Sequence, residues 1–128
     1  MPTDRTYWEK RTSKKMMENI DKIYNALGEI VSGFELKYNK FYIGLSKDGI
    51  SRNFLMFRPK KSFLYIVIKT KENNPLLQEI ENDGLEINYT PRWNECKIKL
   101  DNFETYNKHK EIINKIILSS KSTFNIID

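Results

Sequence analysis

The sequence has very few of the residues on which disulfides, metal sites and glycine-rich phosphate loops depend. Of its 128 residues one is cysteine and one is histidine, and the five glycines are scattered. The single Cys96 cannot form an internal disulfide, and no Cys and His residues stand at metal-ligand spacing. A glycine-rich phosphate loop is also missing. We therefore expect a non-enzymatic protein with no metal and no other cofactor.

Long apolar runs are absent as well. The longest uninterrupted ones, such as residues 116–118, are far shorter than the roughly 20 residues that a membrane span needs. The first residues, MPTDRTYWEKRTSKK, contain no apolar segment of the signal-peptide type. From these two absences we expect a cytoplasmic protein that makes no contact with a membrane.

Charge is plentiful, and it is unevenly placed along the chain. Residues 1–71 hold 15 Lys and Arg against 7 Asp and Glu, a net charge of +8, whereas residues 72–128 hold 7 against 10, a net charge of −3. Such an asymmetry favours a basic face that meets an anionic partner, with DNA or RNA as the commonest candidate. The alternative is a lysine-rich surface that only contacts solvent.

Apolar periodicity predicts a helix near each end of the chain. Met16, Met17, Ile20 and Ile23 recur at helical spacing within residues 13–27, where Thr12 or Ser13 can cap the start and Gly28 the end. A second stripe runs from Tyr106 through His109 to Ser120, in a helix that begins near Asp101 or Asn102. Asp101 and Glu104 stand there at capping-box spacing.

Between these helices the pattern changes to short aromatic and β-branched runs. FELKY, FYIGL, FLMF, FLYIVIK, LEINY and ECKIKL are typical of strands, and Asp48-Gly49 is a hairpin signal. In the fourth run Leu64, Ile66 and Ile68 face the core, and the opposite side, with Phe63, Tyr65, Val67 and Lys69, is apolar enough to be partly covered. In the last run Cys96, Ile98 and Leu100 alternate inward, and Lys97 and Lys99 point outward. A short helix, LLQEIEND, is predicted before Gly84.

The sequence therefore predicts one α+β domain, with a single antiparallel sheet of about five strands and the N-terminal and C-terminal helices packed on it. We place an N-terminal arm at residues 1–12, the domain at 13–121 and a tail at 122–128.

Several of these segments together resemble one uncharacterised bacterial domain family, often labelled "predicted transport protein". They are FELKYNKFYIGLSKDG, NFLMFRPKKSFLYIVIK, ENDGLEI and the final YNKHKEIINKIIL, within residues 7–118. The family commonly occupies the C-terminal end of larger proteins, some with restriction-endonuclease-like or other DNA-related domains. The resemblance implies an α+β fold, one antiparallel sheet with helices on a face, and no established catalytic chemistry. The chain departs from the family at WNECKI, where a Gly and basic residues are usual.

Basic and aromatic residues cluster on adjacent strands and turns, where Lys and Arg can attract a phosphate backbone and Tyr rings can stack on unpaired bases. The predicted nucleic-acid-binding residues are Lys37, Lys40, Tyr42, Arg52, Arg58, Lys60 and Lys61. The same residues are also compatible with a half-buried Tyr and a solvated charged hairpin. The nuclease-like spacing of Glu35-Leu36-Lys37 lacks a strand-borne upstream aspartate, so we interpret it as polar residues flanking Leu36.

Two other functions remain open. One is a protein–protein or dimerisation module, in which the second face of the sheet and Trp8 or Trp93 meet a nuclease-like or other protein partner. The other is a small-ligand pocket between sheet and helices, lined by Tyr38, Tyr42 and Tyr65. We interpret the lone His109 and Cys96 as structural residues, so no catalytic residue is predicted.

Overall fold

The computed structural model describes residues 2–124, which form an α+β fold with one antiparallel sheet and helices at both ends. The helices are α1 (Arg5–Arg11), α2 (Lys14–Leu27), α3 (Leu76–Asn82) and α4 (Phe103–Phe124). The strands are β1 (Glu35–Tyr38), β2 (Ile43–Lys47), β3 (Ile50–Ser51), β4 (Leu55–Pro59), β5 (Leu64–Lys69), β6 (Ile87–Thr90) and β7 (Glu95–Leu100). Short 3₁₀ turns occupy Gly28–Val31 and Pro91–Trp93.

The first two helices have side-chain caps. The Ser13 hydroxyl accepts a hydrogen bond from the Met16 backbone amide at the start of α2, and Gly28 ends that helix with a φ of 58°. The predicted N-terminal arm contains helix α1, which the Asp4 carboxylate caps. Arg5 joins α1 to α2 through a 2.6 Å ion pair with Asp21.

Strand order across the sheet is β1-β2-β4-β5-β7-β6, and β3 pairs with β2. Seven strands are present in residues 2–124, so the prediction of about five was wrong in number. The six strand-like runs of the sequence correspond to β1, β2 and β4 to β7, and the additional strand is β3, which follows the Asp48-Gly49 turn. Both residues of this turn have positive φ. This turn closes β2 onto the two-residue β3 instead of onto β4. Strand β4 then pairs with β2 through Ile43 opposite Phe57.

The last helix begins at Phe103, next to the predicted start near Asp101 or Asn102. Asn102, and not Asp101, accepts a hydrogen bond from the backbone amide of Thr105. The buried Asn19 of α2 accepts another from the backbone amide of Phe103, which fixes the start of α4 against α2. Helix α4 includes residues 122–124 of the predicted tail, and residues 125–128 lie outside the described part of the chain.

The two faces of the sheet have different surroundings. Helices α2 and α4 pack on the face that carries Leu64, Ile66 and Ile68, and these side chains belong to the main core with those of the helices. Met56 and Val67 are also buried, but they lie outside that core and alternate with its residues along their strands. They mark the opposite face, which we call the open face. None of the helices within residues 2–124 combines the length and apolar character that crossing a membrane requires.

Candidate functional site

A groove of about 520 Å³ lies on the open face of the sheet. Its walls come from strands β4 to β7 and from the connecting segments, and no residue of helices α1 to α4 lines it. The lining side chains are mainly cationic, aromatic or hydrogen-bonding. They are Tyr42, Asn53, Met56, Arg58, Lys69, Thr90, Trp93, Glu95 and Lys97.

Strand register explains why these residues meet although they are far apart in sequence. Lys69 stands opposite Glu95, and Val67 stands opposite Lys97, in the β5–β7 ladder. Glu95 in turn stands opposite Thr90 of β6. Directly opposed residues have Cβ atoms about 4.5–5.5 Å apart on one face of an antiparallel pair. The ladder therefore places the charged side chains side by side on the open face.

A single carboxylate lies among the cations of the groove. Oε1 of Glu95 is 3.8 Å from Nη2 of Arg58, and its Oε2 is 4.0 Å from Nζ of Lys69. Lys97 forms no ion pair with a carboxylate of residues 2–124. Three cations against one anion leave the groove positively charged, and Lys97 is the one of the three that forms no ion pair within residues 2–124.

Three aromatic rings on or beside the open face have a cation close to them. The Lys97 Nζ lies 4.9 Å from the ring centroid of Tyr65, and the Lys99 Nζ lies 4.6 Å from that of Phe63. At the rim, the guanidinium of Arg92 lies 4.9 Å from the ring centroid of Trp93, which is 54% exposed. Such pairs keep long cationic side chains close to flat apolar surfaces. The open face therefore presents aromatic rings and positive charges close to one another.

The position of Asn53 in the groove lining depends on a glycine. A Cβ atom at Gly44 would lie 2.4 Å from Oδ1 of Asn53 and 3.1 Å from the ring of Tyr42. The turn between β3 and β4 brings Asn53 into that space, and the Asn53 amide nitrogen is 3.4 Å from the Tyr42 hydroxyl. A hydrogen-bonding amide is therefore part of the groove lining because residue 44 lacks a side chain.

The seven predicted nucleic-acid-binding residues do not all lie together in the fold. Tyr42 and Arg58 line the groove, and Lys37 lies on the open face of β1, where its ammonium donates to the Ser51 hydroxyl. Lys60 and Lys61 line a second cavity together with Arg58. Lys40 lies in the turn before Tyr42 and is exposed.

Arg52 lies apart from this group, because it is only 8% exposed. Arg52 follows β3 directly, and its backbone amide donates a hydrogen bond to the Leu45 carbonyl oxygen. Its Nε has no hydrogen-bond partner within the described part of the chain. Arg52 therefore offers no free cationic surface to a large ligand.

Sequence reasoning did not assign Asn53, Lys69, Glu95 and Lys97 to a site, and it assigned Trp93 only to the protein–protein alternative. The signal was partly visible, because the sequence placed Lys97 outward on its strand and placed Tyr65 and Lys69 on the side of β5 away from the core. What was missing was the pairing of β5 with β7, which brings those two outward faces together.

Trp8, His109 and Cys96, which the sequence analysis also considered, lie outside the groove and contact other parts of the fold. Trp8 is 1% exposed and donates its indole N–H to the Asn39 carbonyl oxygen, so it anchors α1. His109 pairs through Nδ1 with the Asp83 carboxylate at 2.6 Å. Cys96 is fully buried, and burial raises the pKa of its thiol to about 12.

The tyrosines of the predicted small-ligand pocket do not face one common cavity. Tyr38 packs against the helix-side core, whereas Tyr42 lines the open-face groove. Glu35 and Lys37 are exposed on both sides of the half-buried Leu36. Within residues 2–124, no three His, Cys, Asp or Glu side chains gather in an arrangement suited to a metal ion.

Comparisons of the chain with protein-family models, with curated proteins and with solved structures find no match.

Proposed function

We propose that this chain is a non-enzymatic module that binds single-stranded DNA or RNA on the open face of its sheet. The observation that carries the proposal is the groove, in which cations outnumber anions and aromatic rings lie within reach of a ligand. Its volume of about 520 Å³ is within the range of ligand sites, which is roughly 300–1,000 Å³.

Charge supports a phosphate-bearing ligand. Arg58 and Lys69 are held near the groove by Glu95, and Lys97 has no carboxylate partner in residues 2–124. Lys and Arg that neutralise phosphates release condensed counterions, which gives a favourable and salt-dependent binding free energy. The positive groove therefore suits a polyanion better than a neutral ligand.

The rings support a single strand over a duplex. Trp93 is exposed at the rim, and Tyr42 and Tyr65 are half-buried on the same face. Stacking on aromatic side chains contributes about 1–3 kcal/mol per base and requires bases whose faces are accessible. Because a duplex covers those faces, we expect it to bind more weakly than a single strand.

An accessory role agrees with the resemblance drawn from the sequence, since some members of that family are joined to DNA-related domains. In this role the module would hold a nucleic acid for an enzyme and would perform no chemistry itself. That part of the proposal rests on the resemblance, and the binding part rests on the groove.

The direct test is equilibrium binding of fluorescent oligonucleotides by anisotropy. We expect saturable single-strand binding that weakens between about 50 and 200 mM salt. Lys97→Glu removes a groove cation and should weaken binding at least about tenfold, since one charge-assisted contact contributes about 1.5–3 kcal/mol. Lys110→Glu is the matched control, because it changes the net charge equally from an exposed position on α4.

Two outcomes would reject the proposal. One is no binding by the unaltered protein at low salt, and the other is an equal loss in both variants. In the first case the exposed Trp93 favours the protein-partner alternative. A partner held by that indole should dissociate on Trp93→Ala and should be little affected by salt.

A further inference from the structure

A second cavity, of about 190 Å³, adjoins the groove at Arg58, which lines both. It is formed by the end of α1, the turn before β2 and the turn after β4. Its lining includes four cationic residues and no carboxylate. The lining residues are Trp8, Arg11, Thr12, Phe41, Arg58, Pro59, Lys60 and Lys61.

Phe41 is the unusual member of this set, because its side chain is 65% exposed. The Lys40 ammonium lies 5.4 Å from its ring centroid, and the Arg11 guanidinium lies 5.9 Å from it. A phenyl ring exposed to this degree between two cations buries little in the folded chain. The arrangement matches a stacking ring beside phosphate-binding groups.

Arg11 is positioned before any ligand arrives. Its Nη1 donates to the Tyr7 hydroxyl at 2.8 Å and to the Lys40 carbonyl oxygen at 2.6 Å. These bonds use uncharged acceptors, so the positive charge of Arg11 is not cancelled by them. Lys60 and Lys61 are exposed on the neighbouring turn and add charge of the same sign.

We propose that this cavity is a second nucleotide subsite of the same binding surface. One base stacks on Phe41, a phosphate lies among Arg11, Lys60 and Lys61, and Arg58 contacts the strand where it passes into the groove. The inference rests on the proposed function, and it adds that the ligand is a strand long enough to reach both places.

The test is a series of single-stranded oligothymidylates of increasing length, from about 3 to about 12 nucleotides, within the site sizes known for stacking surfaces. The affinity of the unaltered protein should rise once a strand reaches Phe41. Phe41→Ala should lower the affinity for the long strands about tenfold and leave the shortest unchanged. Leu118→Ala is the matched control, because that side chain is 49% exposed on α4.

The outcomes separate this inference from the function on which it rests. Binding of the long strands that is unchanged by Phe41→Ala, or an equal loss for short and long strands, overturns the second subsite alone. No binding at any length overturns the proposed function, and the second subsite with it.

Discussion

Lys97→Gln tests the groove through the salt dependence of binding. The ligand is an oligonucleotide of about four nucleotides, short enough to occupy the groove alone. Arg58, Lys69 and Lys97 are the cations that line it, so up to three phosphates can be neutralised. For a single strand the slope of log affinity against log salt is about −0.7 per phosphate, which gives about −2.1 for three contacts.

The slope converts into a measurable loss. Three contacts predict that affinity falls about 18-fold between about 50 and 200 mM salt, and two contacts predict a fall of about 7-fold. The assay is fluorescence anisotropy at several salt concentrations, repeated with Lys110→Gln as the control. Equal slopes for the unaltered protein and Lys97→Gln would refute the assignment of Lys97 to a phosphate contact.

Three further predictions concern residues that shape the groove or stabilise the fold around it. Gly44→Ala should weaken oligonucleotide binding and lower the free energy of unfolding by about 1 kcal/mol, because the new Cβ displaces Asn53. An affinity that is unchanged in fluorescence anisotropy would contradict this. Trp8→Phe should lower the free energy of unfolding, measured in urea, by about 1–3 kcal/mol, because the 2.9 Å hydrogen bond from the indole to the Asn39 carbonyl oxygen is lost. A change within about 0.3 kcal/mol would contradict this prediction. As pH rises above 9.0, the ordinary pKa of the thiol, Cys96 ionises in the unfolded chain but stays neutral when buried. Stability should therefore fall less with pH in Cys96→Ala, and equal pH slopes would count against this.

The elements that could be predicted from sequence are those whose signals are local. Ser13 and Gly28 bound α2 as expected, because a cap acts within one turn of the helix. Alternation along β5 placed Leu64 in the core correctly, since side-chain direction follows strand period. Lys97, on β7, was likewise predicted to point outward.

The features that could not be predicted depend on pairing between distant segments. Asp48-Gly49 signals a hairpin, but nothing near it indicates that the second strand of this hairpin is the two-residue β3 and not β4. Arg52 was grouped with the surface cations because of its charge, and its burial follows from the path of the chain after β3. The groove requires β5 beside β7, and that register joins residues more than twenty positions apart.

Mapping of amide chemical shifts by heteronuclear NMR during titration with an unlabelled single strand tests the central claim most directly. The account predicts that the perturbed amides cluster on β4, β5 and β7 and around Asn53 and Trp93, with little change along the exposed side of α4. Perturbations centred on α4, or none at saturating oligonucleotide, would contradict it.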